Sequence, residues 1–140
     1  SFHYTMSTDY TEAKLLKRGP AWKSFISGFE ARKEEALTQI KQVDVLKGTS
    51  YEGRVGFMLE NVLSAEECEF LIQETEALGY ENMTEYASRY RSNTRLFVTY
   101  QALADAIYER IRGFCPETMS PYEENDHWQI NSLNERFRFW

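Results

Sequence analysis

The first clear rhythm in the chain follows Gly19-Pro20, a pair that punctuates structure and can place proline in the first turn of a helix. Apolar residues recur at Trp22, Phe25, Ile26, Phe29, Ala36, Leu37, Ile40 and Val43, with Arg32, Lys33, Glu34 and Glu35 between them. That spacing is one stripe of a helix and predicts a long amphipathic helix from about Ala21 to about Asp44, weakened by Gly28 in its interior. The polar, mixed residues before it read as a lead-in with a short helical turn, so residues 1–20 form an N-terminal arm and residues 21–140 a single domain-like unit. After the turn-rich "GTSYEG" of residues 48–53, Val55, Phe57 and Leu59 alternate with Gly56, Met58 and Glu60, as in a strand.

Ser64-Ala65-Glu66-Glu67 is the sharpest start signal. In this capping box the Ser64 hydroxyl and the Glu67 carboxylate satisfy backbone donors at a helix N-terminus. The helix runs on through Phe70, Leu71, Ile72, Thr75 and Leu78 to Gly79, with Cys68 expected in the core. Tyr80 to Thr99 shows no firm period and reads as a long loop with room for one short strand. A third helix fits Thr99 to Arg112, with Leu103, Ala106, Ile107 and Ile111 inward, closed by Gly113 and Pro116. Residues 115–127 are a loop by composition, and Asn134 to Trp140 alternates as a strand. On that last strand Phe137 and Phe139 point one way, and Arg136, Arg138 and Trp140 the other. A face carrying arginines either meets solvent or lines an acid-binding cavity, because a buried guanidinium needs a carboxylate.

Composition narrows the function. A chain of 140 residues, 42% hydrophobic and 15% aromatic, is enough for one domain with a real core. Its formal charge of -6 argues against nucleic acid, whose phosphates call for a clustered excess of Lys and Arg. No apolar run reaches the length of a membrane span, and no signal peptide is apparent. Two cysteines, Cys68 and Cys115, suit a reducing compartment, so the expected location is the cytoplasm or the nucleus. His127 lies near Glu123, Glu124 and Asp126, but this spacing matches no ligand motif, and no metal ligand is assigned.

The succession "FMLENVLSAEECEFLIQETEALGY", "YRSNTRLFV", "LADAIYERI" and "LNERFRFW" resembles, in order and spacing, the N-terminal part of prolyl-4-hydroxylase-like oxygenases. The match covers about residues 54–140. It implies an α+β fold: a helical support layer and the first strands of a double-stranded β-helix, or jelly roll, with the barrel incomplete in this chain. The family uses Fe(II) and 2-oxoglutarate to hydroxylate an unactivated carbon, and a prolyl residue in a protein or peptide is the implied substrate. Its iron is held by a His-x-Asp pair and a distant histidine, a facial triad. Here the histidines are His3 and His127 alone and no His-x-Asp occurs. The resemblance therefore implies a missing C-terminal catalytic half, on the same or a separate chain, and no catalytic residue in this one.

By the same resemblance, Arg91, Asn93 and Arg95 of the "RSNTR" loop would contact substrate. Arg136, Arg138 and Trp140 would lie toward the 2-oxoglutarate pocket. The expected cover for the Trp22, Phe25, Phe29 stripe and for Phe137 and Phe139 is the missing half. The alternative is a non-catalytic module that uses the same helices and strands to bind a protein partner.

Overall fold

A computed structural model describes residues 9–82, 94–119 and 127–140. In chain order, the described residues form β1 (Asp9–Thr11), α1 (Glu12–Lys17), α2 (Ala21–Ala31), α3 (Lys33–Leu37), β2 (Lys41–Asp44) and β3 (Phe57–Glu60). They continue with α4 (Ala65–Leu78), β4 (Glu81–Asn82), β5 (Thr94–Thr99), α5 (Gln101–Ile111), a single tight turn at Arg112–Phe114, and β6 (Arg136–Phe139). The architecture is mixed α+β, and no barrel closes among the described residues.

β5 organises the larger sheet. β1 runs parallel to it, pairing Tyr10 with Val98, and β6 runs antiparallel to it, pairing Phe137 with Val98 and Phe139 with Leu96. Both neighbours pair with residues 97–99, so they occupy opposite edges of β5. β4 adds a short antiparallel pairing at Arg95 and Thr94. β2 and β3 form a separate two-stranded hairpin.

The inward residues of β5 are fully buried: Leu96, Val98 and, just beyond, Tyr100. Against them pack Leu15 of α1, Trp22, Phe25, Ile26 and Phe29 of α2, and Leu103 and Ala106 of α5. Phe25 stacks on Phe70 of α4 with ring centroids 4.2 Å apart, and Trp22 meets the edge of Phe70 at 5.5 Å. The α2 stripe is therefore covered by this chain's own sheet and helices, which corrects the expectation that a second half must cover it. Phe137 and Phe139 are likewise half-buried against this core.

From Asp9 onward the lead-in residues are tied into the fold. The short helical turn is α1, capped by the Thr11 hydroxyl, and it anchors Leu15 at 0% exposure. β1 joins the sheet beside it.

A continuous helix from 21 to 44 does not form. α2 ends at Ala31, α3 is a single further turn, and residues 41–44 are strand β2. The physical reason is visible in the stripe: after Phe29 the next inward positions are Arg32 and Lys33, which cannot enter an apolar core. Arg32 instead leaves helical geometry and turns its guanidinium to Glu67. Beyond it, Lys41–Asp44 is claimed by pairing with Phe57–Glu60. The expected buried thiol is also corrected: Cys68 is exposed, because α4 turns Glu67 and Thr75 inward instead.

Candidate functional site

Strand alternation places Arg95, Phe97 and Thr99 of β5 on the sheet face away from the helices. On the same face lie Arg136, Arg138 and Trp140 at the β6 end and Asp9 and Thr11 of β1. Phe97 is only 8% exposed although it faces away from the core. Its cover is arginine: the guanidinium carbons of Arg136, Arg95 and Arg138 lie 4.1, 4.8 and 5.9 Å from the ring centroid. The negative face of an aromatic ring attracts such cations, and their aliphatic stems exclude water from it.

Asp9 partly answers this charge, with Oδ2 3.7 Å from Arg136 Nη2. Among the described residues no carboxylate pairs with Arg138. An exposed guanidinium held over a ring, with its fork still available, is suited to a carboxylate or another planar anion.

Of the residues singled out from sequence, Arg95, Arg136, Arg138 and Trp140 thus share one face, with Trp140 55% exposed. Arg91 and Asn93 lie outside the described residues. Phe97, the centre of the cluster, escaped the sequence reading, since its segment had seemed aperiodic. The alternation Arg95-Leu96-Phe97-Val98-Thr99 was the signal.

A second charged constellation is internal. Glu67 and Arg110 are 2% and 1% exposed and form a two-pronged pair, Nη1 to Oε1 at 2.8 Å and Nη2 to Oε2 at 2.7 Å. Arg110 also donates to the carbonyls of Val62 and Phe29, at 2.7 and 2.8 Å, and lies over the Phe29 ring. Arg32 donates to Oε2 through Nε and Nη2, and the Ser64 amide donates to Oε1 at 2.8 Å. Burial by itself would push the Glu67 carboxyl up. The hydrogen bonds from Arg110, the Ser64 backbone and Arg32, with the Arg110 charge, outweigh it and bring the pKa from 4.5 down to about 2.

This node locks α2, α4 and α5 together. A cavity of about 370 Å³ opens beside it, but the buried charges on its wall, Glu67 and Arg110, are turned to each other. Sequence reasoning missed the node, although Arg110 stands where the inward stripe of α5 (Leu103, Ala106, Ile107) repeats. A charge in an apolar stripe calls for a buried partner.

Among the described residues no group of three or more His, Cys, Asp and Glu side chains is placed to hold a metal ion. No helix among them is long and apolar enough to cross a membrane. Compared with known protein families, with curated proteins and with solved structures, the chain gives no match.

Proposed function

We propose that the chain forms the helical support layer and part of the sheet of an Fe(II)- and 2-oxoglutarate-dependent oxygenase. It would act on a prolyl or other residue of a protein or peptide, with the iron ligands supplied by a segment outside this sequence. The observation that carries the reading is the two-faced sheet. Its inner face is backed by α2 and α5, while its outer face presents Arg136 and Arg138 around Phe97, as an acid-binding cavity would require. In this reading Arg138 and Arg136 face the 2-oxoglutarate side, and Arg95, with Arg91 and Asn93, the substrate side. Iron and 2-oxoglutarate would supply the oxidising chemistry; the residues of this chain would orient a carboxylate and exclude water.

The test is succinate formation from 2-oxoglutarate, followed by NMR on the longest polypeptide that carries this sequence, with Fe(II) and ascorbate. Iron-dependent succinate is expected. Arg138→Ala should raise the Michaelis constant for 2-oxoglutarate by about tenfold, the value of one hydrogen bond to a charged group. No succinate above the iron-free control would sink the proposal.

One observation favours the second reading, a non-catalytic interaction module: this chain covers its own aromatic stripe and needs no second half to do so.

A further inference from the structure

The outer edge of β6 pairs with no strand among the described residues. Such an edge presents backbone donors and acceptors ready for another extended chain. Here the side chains specify which chain. On one face Phe137 and Phe139 are half-buried at the margin of the core, so a neighbouring strand would extend that core with apolar residues. On the other face Arg136 and Arg138 are exposed, so the same strand would place carboxylates beside them.

We infer that the β6 edge is a docking site for an extended peptide segment of a partner protein whose residues alternate apolar and acidic, bound by strand addition. The inference stands on the sheet alone and does not require the oxygenase reading.

Two other occupants fit less well. In an antiparallel pairing of β6 with a second copy of itself, the two registers that match most of the strand, Phe137 opposite Phe139 or Phe137 opposite its own copy, set arginine opposite arginine. Like charges directly opposite destabilise such a pair. A nucleic acid would meet a chain of formal charge -6 whose 16 Lys and Arg residues are spread along the sequence, with Arg95, Arg136 and Arg138 on this face. An edge four residues long offers few backbone bonds, so charge complementarity must contribute much of the selectivity.

The probe is a fluorescein-labelled peptide alternating glutamate with valine, about eight residues long to match a typical strand. Fluorescence polarisation is read for wild type and for Arg138→Glu, whose folding is checked by circular dichroism. The comparison peptides are a lysine-valine copy and copies methylated on alternate backbone nitrogens in each phase.

The acidic peptide should bind wild type, and Arg138→Glu should weaken it at least about tenfold while gaining affinity for the lysine copy. Only one of the two methylated phases should retain binding to wild type, because a strand donates to its neighbour from alternate residues. The inference is overturned by absence of binding, by unchanged binding to Arg138→Glu, or by both methylated phases binding as well as the parent. Tighter binding of a single-stranded oligonucleotide than of the acidic peptide would overturn it as well.

Discussion

Glu67 carries a charge where an unpaired charge could not persist, and its five hydrogen bonds explain how. The folded protein holds this carboxyl at about 2, below its ordinary 4.5. A group with a depressed folded value stabilises the fold fully above the unfolded value and loses that contribution as the pH falls through the folded one. For Glu67 the window lies between about 4.5 and about 2, and the contribution amounts to roughly 3 kcal/mol. Urea unfolding across that range should show the wild type losing stability faster than Glu67→Gln, which has no proton to gain there. Parallel curves for the two proteins would locate the acid sensitivity elsewhere. At the opposite surface, Phe97 shows the converse arrangement: an apolar ring on the solvent side, kept dry by the stems of three arginines.

Elements whose signals are local were legible. The Ser64–Glu67 capping box starts α4 where the sequence predicts it, and Gly79, at φ 91°, ends it. The α5 stripe was similarly plain, and the strand period placed Arg136 and Arg138 on the face opposite Phe137 and Phe139. Lys41–Asp44 looked helical because Ile40 and Val43 continue the spacing of the α2 stripe. Elements whose partners lie far along the chain were not legible either, and Thr94–Thr99 looked irregular because both strands that make it central are remote. The lead-in segment read as an arm for the same reason, since the strand that β1 pairs with is remote. Leu15 measures how firmly it belongs: Leu15→Ala should cost roughly 2–5 kcal/mol in chemical denaturation, the range for a fully buried aliphatic. A loss under about 0.5 kcal/mol, ordinary for surface positions, would mean that α1 is not part of the cooperative unit.

Across the whole molecule, stability should be uneven. β5 lies between two strands and beneath three helices, whereas β2 and β3 pair only with each other, and Val45, Val55 and Met58 in or beside them are about half exposed. Native-state hydrogen exchange should therefore find the amides of Leu96 and Val98 protected to the global limit, while those of the β2–β3 ladder exchange by smaller openings. Equal protection in both sheets would contradict this division.

The parallel pairing of β1 with β5 also bears on how the protein is made. Covering Leu96 and Val98 requires Tyr10 from one side and Phe137 and Phe139 from the other, so the sheet joins segments translated at widely separated times. The bond from Arg110 to the Phe29 carbonyl likewise spans 81 residues. Contacts this distant close slowly. A growing chain whose α5 has left the ribosome still carries β5 with one edge open to water, and in that interval the aggregation risk of an unpaired apolar strand is greatest.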